Sequence, residues 1–372
     1  MGGAVYYSIH KADGQEKKAR KFVAVGWWLM FSVSIIATAI VYFSAETVLK
    51  LLGADNIVLQ YATNYIHIIA IGSIFQIVGT GMIPFIRNYG SSLWAMIAMM
   101  GGFVTNIILD YLFIWSYNWG MKGAAFATII GQGVTMMITI LYAVHKRKFF
   151  LHTSIKRTAS ICGSIVKVGL APFGLALTPN ISLVFINRFS ASYGGEKAIA
   201  IYACISYIIC IVYLILQGVG DGSQPLMSRY YGEKETAKLK DIQKMAYTFA
   251  IILATLSCVI MFLIRTSIGA LFGSSNEVNH EIAKTMPIFL VSIPFVAITR
   301  VATASFYATE KSVFSYILTF IEPIFMLLFM LILPRFGGQV MIWWSTVIAR
   351  ILTAMIALLL TSVQNKISLV FH

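Results

Sequence analysis

The sequence predicts an all-α integral membrane protein whose helices form two related lobes. Hydrophobic residues make up 59% of its 372 residues and charged residues only 11%, whereas soluble domains carry about 25% charged residues. Long apolar stretches recur along the chain, and the alternating segments of about ten residues that indicate a membrane β-barrel are absent. Short segments from the first part of the chain also recur in the second part. These three observations predict the fold class.

Apolar stretches of sufficient length to span a bilayer occur throughout the chain. A helix of about 20 apolar residues crosses the roughly 30 Å hydrocarbon core. Ten stretches meet this requirement, near residues 22–43, 61–83, 93–114, 123–143, 165–185, 198–216, 246–264, 287–307, 315–333 and 340–362. We therefore expect about ten transmembrane helices.

The repeat is visible in a few matched positions and in parallel hydropathy. Gly14 recurs as Gly232, 218 positions later, within GQEKKARK and GEKETAKL. The other matched pairs are Ala19 with Ala237, 51–53 with 271–273, and 120–128 with 338–346. In the second copy the apolar stretches 161–189 and 198–216 precede Gly232. At the same offset, their equivalents in the first copy would lie upstream of Met1. We therefore expect about two helices, or roughly sixty residues, to be missing from the front of the first copy.

A basic connector at 146–157 separates the two copies, since it is the longest polar stretch between two spans. Residues 1–145 are then predicted to form a partial first lobe of about four transmembrane helices. Residues 158–372 are predicted to form a second lobe of about six. The basic segments of both copies lie on the same side of the membrane, which indicates parallel repeats with a cavity between them near the midplane.

The net charge of +14 indicates orientation in the membrane and not nucleic-acid binding. Lys and Arg lie in short, alternate loops and do not form one soluble basic face. By the positive-inside rule, the loops at 11–21, 145–157 and 229–244 are cytoplasmic, as are both termini. The four cysteines lack metal-binding spacing, and no phosphate loop or catalytic triad is present. We expect no enzymatic activity, no cofactor and no bound metal.

Four segments carry a resemblance to a known family. They are 84–90 (PFIRNYG), 106–114 (NIILDYLFI), 120–128 (GMKGAAFAT) and, in the second half, 217–228 (QGVGDGSQPLMS). In order and spacing they resemble the multidrug and toxic compound extrusion (MATE) family, and the last segment is similar to the motif that precedes its central cytoplasmic loop. The resemblance is closest to the prokaryotic branch.

The resemblance implies a twelve-helix, two-lobed, V-shaped exporter that is driven by a sodium or proton gradient and has a central cavity for cationic amphipathic drugs. The two absent helices then correspond to the family's first helix and most of its second, with residues 1–7 as the end of that second helix. Family members carry an acidic coupling residue on the first helix. Some sodium-coupled members also carry a Glu eight positions after a Pro, where this chain has Pro172 followed by Asn180. This departure argues against sodium coupling of that type.

Polar residues within spans are candidates for the ion or substrate pathway, because an ionisable group at a helix centre costs about 2.5–3.5 kcal/mol on insertion scales. Asp110 and Asn106 share a helix face near the outer end of the third span. This pair either contacts an ion or drug, or ties the helix end to the following loop. Gln76 and Gln217 lie at or near mid-membrane, where each either lines the pathway or hydrogen-bonds a neighbouring helix.

Two further candidates carry opposite charges. Arg300 lies mid-span, and Glu322 precedes Pro323 in the next span. Because an unpaired buried charge is costly, we expect a carboxylate to hold Arg300, with Glu322 as the predicted partner. Glu322 is either a proton carrier or a structural link to backbone groups that Pro323 leaves unbonded.

Three functions fit these observations. The leading hypothesis is secondary-active efflux of cationic amphipathic drugs by proton or sodium antiport, in a monomer in the bacterial plasma membrane. A lipid-linked oligosaccharide flippase of the same superfamily is the first alternative, although such proteins carry several cavity-facing Arg or Lys residues and here only Arg300 qualifies. The second alternative is a non-transporting, N-terminally truncated remnant. The expected partners are small cationic drugs and the lipid bilayer, not nucleic acid.

Overall fold

The computed structural model describes residues 1–51, 55–148, 150 and 155–370, apart from the side chains of 56, 57, 155–157 and 365–370. Within these residues the chain is helical and contains no strand. The helices are α1 (Gly2–Ala12), α2 (Glu16–Leu51), α3 (Asn56–Asn88), α4 (Ser92–Asp110), α5 (Gly120–His145), α6 (Ile155–Tyr193), α7 (Gly195–Gly232), α8 (Thr236–Ile264), α9 (Ile268–Leu271), α10 (Asn276–Leu290), α11 (Ile293–Ala308), α12 (Ser312–Ile332) and α13 (Pro334–Val370), with a π-helical segment, Tyr111–Ser116, directly after α4.

The predicted number of membrane spans is confirmed. In the described part of the chain, nine helices are long and apolar enough to cross a bilayer. The number rises to ten if α10 and α11, which are bent by 45° at a short break, are counted together as one span. Helix α1 has only 11 residues, too few to cross the hydrocarbon core. The chain is therefore a multi-pass, all-α membrane protein.

The chain divides into two compact units, Met1–Val166 and Lys167–His372. The boundary lies within α6, after the predicted connector at 146–157, of which residues 149 and 151–154 lie outside the described residues. In the first unit, α1, α2 and α3 pack around the ring of Phe85. A Cβ atom on Gly3 or on Gly26 would lie 2.8 Å from that ring, so these two positions must be glycine for the helices to approach this closely.

Helices α4 and α5 of the first unit also pack closely, at Gly102 and Gly131. A Cβ atom on Gly102 would lie 2.7 Å from the carbonyl oxygen of Gly131. Such contact between backbones is typical of small residues at membrane helix interfaces. An open apolar groove of about 270 Å³ runs along α3 and α5 and is lined by Phe75, Ile129, Ile130, Gly133, Val134 and Met137.

The second unit has a larger core, in which aromatic rings of three helices meet. Tyr202 of α7 stacks on Trp343 of α13 with ring centroids 5.8 Å apart, and Phe289 of α10 lies 5.6 Å from the same tryptophan ring. Such aromatic pairs contribute beyond the area they bury. The chain bends beside this cluster, because α10 ends at Leu290 and α11 begins at Ile293.

The turns between helices show that the two units are copies of one pattern. After α1, Gly14 has a positive φ of 76°, and after α7, Lys234 has a positive φ of 59°. The following residue closes each turn with the same hydrogen bond, from Gln15 N to His10 O at 2.8 Å and from Glu235 N to Tyr230 O at 3.0 Å. The two turns are therefore equivalent at an offset of 220 residues.

The predicted offset of 218 residues, which matched Gly14 with Gly232, is wrong at this turn. The residue equivalent to Gly14 is Lys234, which adopts the left-handed conformation although it is not glycine. A non-glycine residue can do so at a cost of about 1–2 kcal/mol. Matching Gly14 with Gly232 because both are glycine therefore shifted the alignment of the two copies by two residues.

The same offset of 220 recurs at the starts and ends of later helices. The side chain of Asp55 caps α3 by accepting from Val58 N, and Ser275 caps α10 by accepting from Val278 N. The turns before α4 and α12 contain Gly90 and Glu310, with φ of 89° and 60°. Only at Gly120 and Gly338, whose φ values are 53° and 58°, is the offset the predicted 218. The first copy is thus two residues longer between α4 and α5 than the second copy is between α12 and α13.

Candidate functional site

Four helices of the second unit direct polar side chains into one region of its interior. Helix α7 contributes Tyr213, Gln217 and Asp221, which are four residues apart and so share one helix face. Helix α11 contributes Arg300 and Tyr307, two turns apart. The remaining polar groups are Ser292 at the break before α11, Glu322 on α12 and Arg350 on α13.

The first part of this network connects α7 with α11. Arg300 donates from Nη1 to the Gln217 side-chain oxygen at 3.3 Å. The amide nitrogen of Gln217 donates in turn to Asp221 Oδ1 at 2.9 Å, and the Tyr307 hydroxyl donates to the same oxygen at 3.0 Å. Gln217 therefore links a cation to an anion through one side-chain amide.

The second part of the network connects α12, α13 and the break between α10 and α11. Arg350 donates from Nε to Glu322 Oε1 at 3.3 Å and from Nη1 to Ser292 Oγ, also at 3.3 Å. Its guanidinium lies 5.1 Å from the ring centroid of Tyr213, a distance at which cation–π attraction contributes. Ser292 Oγ itself donates to the Phe289 carbonyl at 2.7 Å.

The network is balanced in charge and largely buried. Arg300 is 8% exposed and Arg350 is 6% exposed. Two buried guanidinium groups are tolerated only with compensating charge and hydrogen bonds. Asp221 and Glu322 supply two negative charges against these two positive ones. Asp221 and Gln217 are only half-buried, so the network reaches the surface of the unit along α7.

The predicted pairing of Arg300 with Glu322 is wrong. Glu322 forms its ion pair with Arg350, and Arg300 is bound by the amide of Gln217. The physical reason is the rotation of the helices about their axes, which sequence depth does not give. Glu322 is within ion-pair distance of Arg350 on α13 but not of Arg300 on α11.

Two charged residues of the network, Arg350 and Asp221, were not singled out from the sequence. Arg350 lies inside the predicted span 340–362, and an arginine at such a depth is itself a signal for a functional or paired position. Asp221 lies five residues beyond the predicted span 198–216, but α7 continues to Gly232. The helix therefore carries Asp221 against α11 and not into a loop.

The predicted residues of the first unit stand apart from this network. Asp110 is the last residue of α4 and is half-buried. Asn106 lies one turn earlier, and its buried side-chain nitrogen has no hydrogen-bond partner among the described residues. A Cβ atom on Gly131 of α5 would lie 3.0 Å from the Cβ of Asn106. Asn106 thus lies where α4 and α5 are in closest contact.

Gln76 and Asn180 do not join any network between helices in the structure as described. Gln76 is exposed, and its backbone carbonyl accepts from the Thr80 hydroxyl at 2.6 Å. Asn180 is also exposed, and its side chain donates to the Ala176 carbonyl of its own helix at 3.3 Å. Of the seven predicted residues, three, namely Gln217, Arg300 and Glu322, therefore lie in the network of the second unit.

Ten apolar spans, two copies of one helical pattern and a buried network of opposite charges are typical of secondary membrane transporters. The family model described as MatE matches residues 1–112 and 173–332 of the chain. The chain therefore belongs to the MATE family of transporters, as the resemblance of its motifs predicts.

Relatives and solved structures agree with this assignment. The chain is 24% identical over 364 residues to the multidrug export protein MepA of Staphylococcus saprophyticus, a match that covers 97% of this chain and 80% of the relative. It is 22% identical to MepA of Staphylococcus haemolyticus over 371 residues, with 99% and 82% covered.

Two solved structures share the fold. One is an outward-facing multidrug resistance MATE family transporter of the MOP superfamily, with a TM-score of 0.91 and 20% identity, covering 98% of this chain and 82% of that one. The other, with a TM-score of 0.90 and the same identity and coverage, is a MOP superfamily transporter from Pyrococcus furiosus whose binding pocket is described as reversed in polarity. The predicted fold class is therefore confirmed.

Proposed function

We propose that this chain exports cationic amphipathic drugs by proton or sodium antiport. The observation that carries the proposal is the match to multidrug export proteins of Staphylococcus over 97% of the chain. Family membership supports transport, and the helical pattern repeated in both units supports alternating access. The apolar groove beside Phe75 offers the kind of surface that binds the apolar part of such drugs.

Coupling requires a group that exchanges a cation during the cycle, and we propose that the carboxylates of the second unit fill this role. A carboxylate within a span is costly when charged and unbalanced, so it binds a proton, a metal cation or a cationic side chain. Asp221 is half-buried and accepts hydrogen bonds from Gln217 and Tyr307. Glu322 is held by Arg350. Protonation of Asp221 changes the hydrogen bonds between α7 and α11, and protonation of Glu322 changes the ion pair between α12 and α13.

Efflux of ethidium from a bacterial host without its own multidrug exporters tests this function. Cells that express the chain should lose ethidium faster than cells with an empty vector, and collapse of the proton and sodium gradients should abolish the difference. Asp221→Asn and Glu322→Gln should lower the rate by at least about 10-fold, which corresponds to about 1.4 kcal/mol in the barrier.

The matched control is Asp241→Asn, because Asp241 is an exposed acid near the start of α8. This variant should retain efflux. Folded protein in the membrane that exports no ethidium or related cation would contradict the proposed function. Efflux that persists in both carboxylate variants would move the coupling site elsewhere, with Asp110 as the next position to test.

The charge distribution supports an orientation in the bacterial plasma membrane with both termini cytoplasmic. Monomeric action fits a transporter whose two repeats form its working parts. In a cysteine-free background, Lys148→Cys and Lys240→Cys should resist an impermeant maleimide in intact cells and react after the membrane is opened. Labelling of either position in intact cells would contradict this orientation and indicate the opposite one.

A further inference from the structure

Arg300 is a buried cation whose guanidinium makes one direct hydrogen bond within the described residues. An arginine guanidinium carries five N–H donors and no acceptor. Only 8% of Arg300 is exposed, and its single hydrogen bond within the described residues is the one to the neutral Gln217 oxygen at 3.3 Å. Among these residues no carboxylate oxygen lies within 4.0 Å of its guanidinium. The guanidinium therefore has N–H donors left over that an oxyanion could accept from.

Arg350 shows what a fully engaged arginine looks like in the same unit. Its guanidinium contacts the carboxylate of Glu322, the hydroxyl of Ser292 and the ring of Tyr213. Both arginines are buried to a similar degree, so burial does not explain the difference. The difference lies in the partners, because α12 offers Arg350 a carboxylate while α7 offers Arg300 only an amide.

The polar side chains next to Arg300 lie partly at the surface of the second unit. Gln217 and Asp221 on α7 are only half-buried, so the network is open at that side. On α11, Tyr307 donates its hydroxyl to Asp221 and so does not compete with Arg300 as a donor toward it. On α8, Tyr247 packs among apolar side chains of α11, α12 and α13.

We propose that Arg300 binds an oxyanion, a carboxylate or phosphate group that accepts two hydrogen bonds from its guanidinium. Arginine matches such groups because its planar fork donates two parallel N–H bonds. Gln217 fixes one edge of the guanidinium and leaves the others for the ligand. The carboxylate of Asp221, one side-chain amide away, repels an anion when charged, so neutral Asp221 favours binding. This site would let the protein accept solutes that carry an anionic group as well as a cationic or apolar one.

Three sources share this chemistry: a solute carboxylate, inorganic phosphate and the phosphate of a lipid. The test uses the purified full chain in a neutral detergent, with binding followed by isothermal titration and by the shift of the melting temperature Tm. The probes are benzoate, its neutral analogue benzamide, inorganic phosphate and a short-chain phosphatidic acid. We expect saturable binding of benzoate and none of benzamide.

Substitutions locate the site. Arg300→Gln should weaken benzoate binding at least about 10-fold, equivalent to about 1.4 kcal/mol, and Arg300→Lys should weaken it less, because the charge stays while the fork is lost. Asp221→Asn should tighten binding several-fold. The control Arg265→Gln removes an arginine whose guanidinium lies over the Phe262 ring at the end of α8, and it should leave the affinity unchanged.

Each outcome decides the proposal. Binding of benzoate or phosphate that depends on Arg300 supports a soluble oxyanion, and binding of phosphatidic acid alone with the same dependence supports a lipid phosphate. A cooperatively melting wild-type protein that binds none of these probes overturns the proposal, as does equal affinity in Arg300→Gln. If Arg300→Gln fails to fold, unchanged affinity in Asp221→Asn overturns it instead. Because binding is measured in detergent, failure of the efflux assay would not affect this result.

Discussion

The two units carry the same helical pattern but hold their last two helices together by different physical means. At an offset of 220 residues Gly102 of α4 corresponds to Glu322 of α12, and at the later offset of 218 Gly131 of α5 corresponds to Ala349, next to Arg350. In the first unit the backbones of α4 and α5 touch at the two glycines. In the second unit an ion pair of 3.3 Å joins α12 to α13 at the same level. One architecture therefore accommodates both a bare backbone contact and a buried charge pair.

This difference extends to the span equivalent to α10 and α11. Arg300 corresponds to Thr80 of α3, whose hydroxyl donates to the Gln76 carbonyl of its own helix. Thr80 needs no hydrogen-bond partner from another helix, because its hydroxyl is already bonded within α3. Arg300, in contrast, needs partners from other helices. The repeat thus provides the fold, and among the described residues the buried ion pair lies in the second copy.

The largest expected effect comes from breaking the ion pair of the second unit. Arg350→Leu leaves Glu322 buried without its cation and should cost about 3–5 kcal/mol of folding free energy. In purified protein this corresponds to a decrease in Tm on the order of 10 °C. The double variant Glu322→Gln with Arg350→Leu should recover most of the loss, because no charge then remains unpaired.

Arg229→Leu is the matched control for that experiment. Arg229 also pairs with a glutamate, Glu233, at 2.8 Å, but its side chain is 60% exposed. Exposed pairs contribute at most about 1 kcal/mol. If Arg350→Leu is no more harmful than Arg229→Leu, the buried pair does not stabilise the second unit and the comparison fails.

An intermediate effect is expected at the glycine contact of the first unit. Gly102→Ala places a methyl group 2.7 Å from the Gly131 carbonyl, so α4 and α5 must separate. The expected cost is about 1–3 kcal/mol, as for other overpacked interiors, and it is measured as a lower Tm. Gly163→Ala serves as the control, since an added Cβ there meets nothing within 4 Å. Equal Tm values for the two variants would show that the backbone contact is not tight.

The smallest effect concerns the equivalent turns after α1 and α7. Lys234 holds a φ of 59°, where Gly14 of the first copy holds 76°. Lys234→Gly should stabilise the second unit by about 0.5–1 kcal/mol, since glycine adopts this conformation without a steric penalty but loses more entropy on folding. Gly14→Ala should destabilise the first unit by about 1 kcal/mol. Two changes in Tm of the same sign would show that the turns are not equivalent.

The fold could be predicted from the sequence because its cause is distributed along the whole chain. Each span contributes about 20 apolar residues, and a few misread positions do not change the count. The break within the predicted span 287–307 was not foreseen. Pro287 and Pro294 flank it in the sequence, and the bend occurs between α10 and α11.

The site could be predicted only in part, because it depends on which way each helix face points. Glu322 and Arg300 were correctly recognised as polar residues that need partners. The partner of Glu322 is Arg350, 28 residues later in the sequence, and that of Arg300 is Gln217, 83 residues earlier. A single sequence gives depth along each helix and not its rotation. The roles of Asp110, Asn106, Asn180 and Gln76 in transport stay predictions.

The π-helical segment Tyr111–Ser116 bears on how two copies of an ancestral half can drift apart in length. It lies in the stretch where the first copy has two residues more than the second. A bulging loop at that depth would leave backbone amide groups without hydrogen-bond partners, which is energetically costly because the bilayer core contains no water. A wider helical turn absorbs extra residues and keeps their amides bonded. Extra residues within a membrane span are therefore accommodated where the helix widens, and the π-helical turn Tyr111–Ser116 lies in the stretch where the two copies differ in length.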